Sequence, residues 1–457
     1  MKTHAVILAA GQGTRMKSAL PKVLHRVGGT PMLGHVLAAA EAAGVSACHV
    51  VLGHGAVQVQ EWLQGPAGKS VDMVLQEQQL GTAHAVQQAL PLVPDNALVL
   101  VLCGDVPLVS AETIRKLAAA AKDGMAVVTA EVPDPTGYGR MVRDAKGRIT
   151  GIVEEKDATP QQRVITEINT GLMAAQARRL KRWLSHVKNN NAKGEYYLTD
   201  AVALAVKDGV EVQTVAAAGF DEVEGVNDRV QLAQVERRFQ HAQVERLQRE
   251  GLHLADPARF DLRGSLRIGR DVFIDVGCVL EGEVELGDNV SIGPYCVLRD
   301  VKLNAGTRVD AHSVLDSAEA GRDCRIGPFA RLRPGAQLGD QVHIGNFVEI
   351  KKSTLGDGTK ANHLAYVGDA TVGARVNIGA GVITCNYDGV NKHATIIGDD
   401  AFIGTDSQLV APLIIGRGAY IAAGSTITKD APEDALTVCR AREQKSFPGW
   451  QKPVKKK

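Results

Sequence analysis

Three patterns of apolar and polar positions follow one another along the chain. In the first, up to about residue 225, short apolar runs alternate with alanine-rich stretches of helical period. The predicted buried strands are 5–10, 47–53, 96–105 and 125–132. The predicted helices between them are 31–44 and 110–124. Such alternation is typical of a mostly parallel sheet with helices on both faces, in which ligands bind at the carboxyl ends of the strands.

The second pattern, from about 226 to 250, spaces apolar residues three or four positions apart among charged ones. Leu232, Val235, Phe239 and Ala242 are the apolar positions. They predict one long amphipathic helix. Because no partner helix precedes or follows it, we interpret this helix as a connector between two domains.

In the third pattern, after about residue 260, an aliphatic residue recurs at every sixth position. The hexad positions are Ile268, Ile274, Leu280, Leu286, Ile292, Leu298, Ile326, Leu332, Leu338, Ile344, Ile350, Ile397, Ile403, Leu409, Ile415, Ile421 and Ile427. Hexapeptide periodicity indicates a parallel β-helix, in which three short strands form each coil and the aliphatic residues stack inside. A β-sandwich would need period-two alternation, which is absent.

Composition excludes several classes of function. With 45% hydrophobic and 23% charged residues the chain is typical of globular proteins. A formal net charge of +1 gives no sign of a nucleic-acid or membrane partner. The N-terminus does not read as a signal peptide, and no apolar run is long enough to predict a membrane span. The seven cysteines are scattered without paired spacing, so we expect reduced thiols in the cytoplasm and no zinc site.

A glycine-rich loop follows the first predicted strand. Gly11 and Gly13 allow the backbone to approach a ligand closely, and successive N–H groups there can hold a phosphate. Met16 stands where the dinucleotide-binding fingerprint needs a third glycine, so that motif is excluded. Arg15 and Lys22 make the loop cationic, as a triphosphate site requires.

A carboxylate follows another buried strand, at Asp105. A carboxylate in this position could hold Mg²⁺ that bridges substrate phosphates. It could equally cap the following turn. The sequence leaves both interpretations open.

Two places in the β-helix break the hexad pattern. One is the polar insertion at 385–396, which predicts a substrate wall or an interaction loop. The other is His363. A lone histidine is often a solvated turn residue, but polar groups within a few coils of this one are suited to a sugar phosphate, and Glu349 lies near enough in the repeat to orient an imidazole. These groups are Arg333, Lys351, Tyr366 and Asn377.

Taken together, the motifs resemble those of the sugar-1-phosphate nucleotidyltransferases. They are Leu8-Ala9-Ala10-Gly11-Gln12-Gly13-Thr14-Arg15-Met16, Pro21-Lys22, Gln76, Gly81-Thr82, Gly104-Asp105, Thr136-Gly137-Tyr138-Gly139-Arg140, Glu154, Asn169-Thr170-Gly171 and Glu224-Gly225-Val226-Asn227. With the β-helix behind them, residues 3 to 457 resemble the bacterial family of bifunctional N-acetylglucosamine-1-phosphate uridyltransferases and glucosamine-1-phosphate acetyltransferases. The resemblance implies an α/β protein: a Rossmann-like nucleotidyltransferase domain (1–229), a linker helix (230–250) and a left-handed parallel β-helix (251–457).

For the N-terminal domain the resemblance implies a site for UTP, N-acetylglucosamine-1-phosphate and Mg²⁺. Arg15 and Lys22 would face the phosphates as catalytic cations, and Asp105 and Asn227 would ligate the metal. The implied nucleotide-sugar contacts are Leu8, Ala9, Ala10, Gly11, Lys22, Gln76, Gly81, Thr82, Cys103, Gly104, Asp105, Gly139, Glu154, Asn169 and Asn227. The family usually has tyrosine where this chain has Cys103, which leaves the contact of that side chain open.

For the β-helix the resemblance implies acetyl transfer from acetyl-CoA, with His363 as the general base. Arg333, Lys351, Tyr366 and Asn377 would bind glucosamine-1-phosphate. The implied acetyl-CoA positions are Ala380, Asn386, Tyr387, Thr405, Ala423 and Arg440, with Thr405 where serine is commoner. The implied assembly is a homotrimer that shares this site between subunits.

Two other hypotheses remain. In one, the chain is a single-activity nucleotidyltransferase whose β-helix serves assembly or regulation. In the other, the β-helix is a structural rod, which the phosphate loop argues against. The lysine-rich end, Lys455–Lys457, is interpreted as a solvated tail.

Overall fold

A computed structural model describes residues 1–65, 71–440, 446 and 448. Two compact units divide the chain, Met1–Phe239 and Gln240–Lys457. The predicted solvated tail lies outside the described residues. Within the described residues, no helix is both long enough and apolar enough to cross a membrane.

A nine-stranded sheet forms the centre of the first unit. In spatial order its main strands are Val212–Ala216, Met125–Glu131, Glu167–Gln176, Leu98–Cys103, Thr3–Ala9, Ala47–Leu52 and Asp72–Leu75. Glu167–Gln176 is antiparallel to both neighbours and also pairs with a hairpin, Gly139–Arg143 and Ile149–Val153. The other pairings of main strands are parallel, so the predicted mostly parallel sheet is confirmed.

Helices cover both faces of this sheet, and the central strand Leu98–Cys103 is apolar at every position. In Leu98–Cys103, Leu100 and Leu102 pack into one core layer, whereas Val99 and Val101 pack into the other. The helices are Met32–Ala42, Ala56–Gln64, Thr82–Ala89, Ala111–Ala120, Pro160–Arg163, Ala177–Leu184, Asp200–Lys207 and Phe220–Val223. Short 3₁₀ turns lie at Thr14–Met16, Lys22–Leu24 and Leu90–Leu92, and a small hairpin pairs Arg26–Val27 with Thr30–Pro31.

The predicted long helix is present as Arg229–Arg249. Val235 is buried with Met16, Val27 and Met32 in a core cluster of the first unit. The prediction for Ala242 is wrong, since that residue is exposed. In the part of the helix that belongs to the second unit, the buried residues are Gln240, Val244 and Leu247.

The buried face of the helix changes at Gln240, because this side chain binds the backbone of a strand instead of continuing the stripe of apolar residues. Its Oε1 accepts a hydrogen bond from the Leu262 N–H (2.8 Å), and its Nε2 donates to the Leu262 carbonyl (2.9 Å). A buried amide that satisfies both backbone groups of one residue fixes the rotation of the helix at that point.

The second unit is a stack of three-sided coils whose strand pairings are all parallel in the residues that are described. One face consists of His253–Leu254, Phe273–Ile274, Ser291–Ile292, Arg308–Val309, Arg325–Ile326, His343–Asn346, Lys360–His363, Asn377–Ile378, Phe402–Ile403, Tyr420–Ile421 and Leu436–Thr437. A 3₁₀ turn, Pro257–Arg259, precedes the next strand.

The other two faces share one sheet, because its first strands run along both of them. These long strands are Phe260–Ile268, Cys278–Leu286, Val297–Leu303 and Val314–Ala320. Further up, one face continues as Arg331–Leu332, Glu349–Lys351, Tyr366–Gly368, Ile383–Cys385, Gln408–Val410 and Thr426–Ile427. The other continues as Ala336–Leu338, Thr354–Leu355, Ala370–Val372, Thr395–Ile397 and Leu413–Ile415.

The hexad residues line the inside of this stack. All of them are buried except Ile268, which is half-buried. The insertion leaves the coil between Ile383–Cys385 and Thr395–Ile397. The predicted left-handed β-helix with one excursion is therefore confirmed.

Candidate functional site

A cavity of about 450 Å³ opens at the carboxyl ends of the central strands of the first unit. Its lining includes most of the residues implied for the nucleotide. They are Leu8, Ala9, Ala10, Gly11, Lys22, Gln76, Gly81, Thr82, Cys103 and Asp105. Gln12, Gln79 and Glu195 also line it, although the sequence analysis did not single them out for this role. Its volume lies in the range of small-molecule sites.

Two glycines bring the walls of this cavity close together. Gly13 has φ +59°, and a Cβ there would lie 2.9 Å from the Lys22 Cβ. Gly81 has φ +119°, and a Cβ there would lie 2.6 Å from the Tyr196 carbonyl oxygen. The Gly81 carbonyl in turn accepts a hydrogen bond from Gln76 Nε2 (3.2 Å). Larger residues at either glycine would displace a wall of the cavity.

One ammonium group joins the two residues implied as metal ligands. Lys22 Nζ donates to Asp105 Oδ2 and, at 3.2 Å, to Asn227 Oδ1. Asn227 is held by its own N–H, which donates to Gln231 Oε1 (2.8 Å). The Asp105 and Asn227 oxygens therefore both face the position of the Lys22 ammonium, which is positively charged.

These oxygens suit a magnesium ion. Mg²⁺ in nucleotide-transferring sites commonly binds one or two protein oxygens and completes its shell with water and substrate phosphates. The described residues contain no group of three or more His, Cys, Asp or Glu side chains that could hold a metal. The donor set thus fits an ion shared with a phosphate ligand rather than one enclosed by protein.

Arg15 lies outside the cavity lining and is exposed. Its charge nevertheless acts on Tyr138. Burial raises the pKa of the Tyr138 hydroxyl, the carboxylates of Glu224 and Asp105 raise it further, and Arg15 opposes them. Arg15 therefore stands near the acidic side of the site, on the loop that bears Gly13.

The residues implied for the sugar form a second cluster. Gly139 pairs with Asn169 across two antiparallel strands, and a Cβ on Gly139 would lie 3.7 Å from both Asn169 Cβ and Glu154 Cδ. Burial raises the pKa of Glu154, whose Oε1 accepts a hydrogen bond from the Thr199 hydroxyl (3.1 Å). Thr199 was not predicted, because only the fold brings it beside Glu154.

Cys103 and Gly104 have structural roles at the end of the central strand. Burial raises the pKa of the Cys103 thiol to about 12, so the thiol stays protonated and unreactive. The Gly104 N–H donates to the Leu8 carbonyl (3.0 Å), which joins the two loops that bear the cavity.

On the β-helix, His363 ends a strand and exposes its ring. Its Nδ1 lies 2.9 Å from Asn346 Oδ1. With the amide oxygen as the acceptor, this contact places the proton of a neutral imidazole on Nδ1 and leaves the lone pair on Nε2. Glu349, which we expected to orient this ring, instead accepts a hydrogen bond from Arg333 (2.8 Å). The register explains the difference, because Asn346 pairs with His363 directly, whereas Glu349 pairs with Tyr366.

A cluster that includes Lys351 and Lys392 lies at the next turn of the coils that bear His363 and Tyr366. Lys351 Nζ is 3.6 Å from Asp369, and Asn386 Nδ2 donates to the same carboxylate. The nearby Lys351 ammonium lowers the pKa of Lys392 in the insertion. Lys392 and Asp369 were not predicted. The interruption of the hexad pattern at the insertion could have pointed to Lys392. No feature of the sequence pattern points to Asp369.

Tyr366, Arg333 and Glu349 project from the face between His363 and this cluster. Glu349 and Tyr366 each stand beside a buried residue of their strand, Ile350 and Val367, and Arg333 directly follows the buried Leu332 at the end of its strand. The Tyr366 hydroxyl accepts a hydrogen bond from Asn386 Nδ2 (3.4 Å). Asn377 stands apart, on the face that bears His363.

Four of the residues implied for acetyl-CoA form a column above His363. The carbonyl of Ala380 accepts from Asp406 N (2.7 Å), that of Thr405 accepts from Gly424 N (2.8 Å), and that of Ala423 accepts from Arg440 (3.1 Å). Asn386 lies instead beside Asp369, and Tyr387 is exposed in the insertion. The structure thus gathers four of the six implied residues in one column and places the other two in the insertion.

Comparisons with known proteins match the sheet unit and the β-helix to different protein families. Residues 5–166 match the family model of the MobA-like NTP transferase domain, 262–346 that of the GMPPB C-terminal domain, and 394–429 that of the bacterial transferase hexapeptide (six repeats). The bifunctional protein GlmU of Alkalilimnicola ehrlichii is 59% identical over 98% of this chain and 96% of its own length. The same protein of Aromatoleum aromaticum is 56% identical over 99% of both chains.

The chain belongs to the GlmU family. The predicted resemblance is confirmed, and with it the bifunctional enzyme that makes UDP-N-acetylglucosamine by acetyl transfer and uridylyl transfer. The alternative of a single nucleotidyltransferase with a passive β-helix is not supported. Among solved structures, a nucleotidyl transferase from Methanothermobacter thermautotroptrophicus is 23% identical over 52% of this chain, with a TM-score of 0.38, a likeness too low to support any statement of fold.

Within a GlmU-family acetyltransferase site, Asn346 is expected to be a positioning residue. Asn346→Leu removes the acceptor that holds the His363 ring and should lower kcat of acetyl transfer about tenfold or more, with a smaller change in KM. Asn346→Asp keeps an acceptor oxygen and should retain more activity than Asn346→Leu. Steady-state kinetics of both variants test this. Equal losses in the two variants would contradict a role for the hydrogen bond.

Proposed function

We propose that the cavity of the first unit binds UTP and N-acetylglucosamine-1-phosphate for uridylyl transfer. The observation that carries this proposal is the meeting of Lys22 with Asp105 and Asn227 beside a glycine loop. In this reaction a sugar-phosphate oxygen attacks the α-phosphorus of UTP, the bond to the β-phosphate breaks, and pyrophosphate leaves. Catalysis then needs positioning and charge neutralisation rather than a protein nucleophile.

The roles that we propose for the side chains are those that the resemblance to the family implies. Lys22 would move from its carboxylate partner to a phosphate oxygen, and Arg15 would add a second cation from the loop. The uridine would be held by Leu8–Gly11, Gln76, Gly81 and Thr82. The acetylated sugar would be held by Gly139, Glu154 and Asn169. Asp105 and Asn227 would hold Mg²⁺, which when bound neutralises the negative charge that develops on the phosphates.

On the β-helix, we propose that His363 is the general base of acetyl transfer. Its Nε2 would take a proton from the glucosamine amine as the nitrogen attacks the thioester carbon. The carbon–sulfur bond then breaks, and the CoA thiolate takes up the proton that His363 holds. Arg333, Lys351, Tyr366 and Asn377 would bind the sugar phosphate, with Lys392 as a further cation.

Further proposals concern acetyl-CoA, assembly and location. Ala380, Thr405, Ala423 and Arg440 would follow acetyl-CoA along the column above His363, with Asn386 and Tyr387 reaching it from the insertion. We propose a cytoplasmic homotrimer of 48.5 kDa chains, because a flat-sided coil offers no deep groove by itself and a neighbour supplies one. The seven cysteines are scattered along the sequence without paired spacing, which agrees with a reducing compartment.

The two activities should separate when the chain is shortened. We propose domains of 1–229 and 251–457 joined by a helix at 230–250. A chain ending at residue 250 should keep uridylyl transfer near the wild-type rate and lose acetyl transfer, because every residue assigned to the first reaction lies before 228.

A chain ending at residue 229 serves as the comparison. It lacks Val235, which is buried in the first unit, and Glu236, whose carboxylate accepts the Gly28 N–H (2.7 Å). We therefore expect it to be less stable and less active than the longer form. Assays of both reactions on the two shortened chains, with circular dichroism as the folding control, test this expectation. A folded 1–250 chain without uridylyl transfer would contradict the assignment of the first site.

A further inference from the structure

The long helix begins two residues after Asn227, the amide proposed to hold Mg²⁺ together with Asp105. The Asn227 side chain is fixed at both of its polar atoms, because Nδ2 donates to the Gly225 carbonyl (3.1 Å) and Oδ1 accepts from Lys22 (3.2 Å). The Val226 N–H donates to the Asp105 carbonyl (2.9 Å), which joins the backbones of the two proposed ligands. The direction of the Asn227 oxygen therefore depends on how the chain enters the helix.

Asp228 is the N-cap residue of this helix. Its carbonyl accepts the first helical hydrogen bond, from the Leu232 N–H (3.1 Å). Its Oδ1 accepts the N–H groups of Val230 and Gln231, each at 2.9 Å. N–H groups in the first turn have no acceptor within the helix, so a capping carboxylate satisfies them and also complements the positive end of the helix dipole.

Gln231 returns a hydrogen bond to the residue before the cap. Its Oε1 accepts the Asn227 N–H (2.8 Å), while its own N–H donates to Asp228. In the usual capping box, the side chain at this position of the helix binds the N–H of the cap residue itself. Here the bond is moved back by one residue, so the Gln231 side chain restrains the backbone of the proposed metal ligand.

Two further side chains anchor the start of the helix to the first unit. Arg229 Nε donates to the Met16 carbonyl (3.3 Å), at the end of the turn that bears Arg15. Glu236 Oε2 accepts the Gly28 N–H (2.7 Å). Because these contacts fix the first two turns of the helix, a change at the cap should act on the Asn227 amide rather than on the position of the helix.

We propose that Asp228 and Gln231 are positioning residues of uridylyl transfer, which keep the helix start at Asp228 and the Asn227 oxygen directed to the Mg²⁺ site. Asparagine is itself among the preferred N-cap residues. If the helix began one residue earlier, the Asn227 oxygen would bind helix N–H groups and be lost to the metal. This inference rests on the proposed Mg²⁺ site and adds the residues that orient one of its ligands.

The test compares Gln231→Leu, which removes the acceptor, with Gln231→Glu, which keeps an acceptor oxygen. The matched control is Gln234→Leu, the same change at an exposed position of the same helix. Mn²⁺, which prefers the same oxygen ligands as Mg²⁺, serves as the probe. Its binding to the full-length chain with UDP-N-acetylglucosamine is measured by electron paramagnetic resonance, with a protein-free blank. Uridylyl transfer is assayed on the same samples over a range of Mg²⁺ concentrations.

Gln231→Leu should raise the Mn²⁺ Kd and the Mg²⁺ concentration for half-maximal activity about tenfold, since groups that orient a metal ligand typically change metal affinity by about 10- to 100-fold. Gln234→Leu should stay within about twofold of wild type, and Gln231→Glu should lie closer to wild type than Gln231→Leu. A loss of folded protein would lower the rate at every Mg²⁺ concentration without moving either midpoint. Unchanged midpoints in Gln231→Leu would overturn the inference.

A second pair of variants tests the cap independently. Asp228→Ala and Asp228→Ser lose the same charge, but serine still caps a helix. Asp228→Ala should therefore weaken Mn²⁺ binding more than Asp228→Ser, and equal effects would contradict a role for the cap. Asn227→Ala separates this inference from the function on which it rests. Wild-type Mn²⁺ binding in Asn227→Ala would overturn the metal site itself, whereas weak binding in Asn227→Ala with normal binding in Gln231→Leu would overturn the positioning role alone.

Discussion

Asp105→Ala is expected to lower uridylyl transfer at least about a hundredfold, or about 2.7 kcal/mol of transition-state stabilisation. The change removes the carboxylate at the end of the central strand and, within the described residues, leaves the Lys22 ammonium with Asn227 as its hydrogen-bond partner. It also removes an oxygen of the proposed metal site, a loss that typically costs several kcal/mol. Acetyl transfer should stay near the wild-type rate, because the proposed second site uses no residue before 333.

Asp95→Ala is the matched control for this prediction. Asp95 stands before the same strand that Asp105 follows, and it too pairs with a lysine, Lys181 at 2.6 Å. Its exposed ion pair should contribute little, so both activities should remain. Initial rates of pyrophosphate release measure the effect. An Asp105→Ala enzyme with more than about a tenth of the wild-type rate would contradict the metal and charge assignment.

His363→Ala is expected to have the opposite selectivity. The imidazole is the group proposed to accept the amine proton, and the loss of a general base typically lowers the rate by about 10² to 10⁴. Here the loss should affect acetyl transfer alone. Because His363 is exposed and its ring contacts Asn346 on the outside of the coil, the substitution leaves no cavity in the coil.

His343→Ala provides the control one coil away. His343 lies in the neighbouring paired strand and has no role in the proposed site. It should keep acetyl transfer within about twofold of wild type. Thiol release from acetyl-CoA in the presence of glucosamine-1-phosphate measures both variants. A His363→Ala enzyme within a few-fold of wild type would show that the amine loses its proton to another group.

Local patterns in the sequence predicted the architecture well. The apolar runs became the central strands because their residues are buried on both faces, and the hexads became the interior of the coil. The prediction for Ala242 was wrong because helical period alone does not reveal where the packed face changes. Here Gln240 sets that change through its two hydrogen bonds to Leu262.

The site residues were predicted correctly where the fold brings the sequence motifs together, and they were missed where it brings other residues beside them. The loops around the first cavity lie at the ends of adjacent parallel strands, so their motifs converge as expected. In the β-helix, Asn346 was missed and Glu349 was assigned to His363. Neighbouring coils are offset by 17 residues at this point, so His363 pairs with Asn346, and Glu349 pairs with Tyr366. Thr199 lies 45 residues along the chain from Glu154, so no local pattern marks it. Asp369 follows Tyr366 by three residues, but only the stacking of the coils shows that its carboxylate lies beside Lys351.

We propose that two sites on one chain act in sequence. The most direct test mixes purified Asp105→Ala and His363→Ala enzymes with glucosamine-1-phosphate, acetyl-CoA, UTP and Mg²⁺, and follows UDP-N-acetylglucosamine by mass spectrometry. Each variant alone should make almost none, and the mixture should restore the product, because N-acetylglucosamine-1-phosphate made by the first enzyme is used by the second. A mixture as inactive as its parts, with both variants folded, would contradict two independent sites.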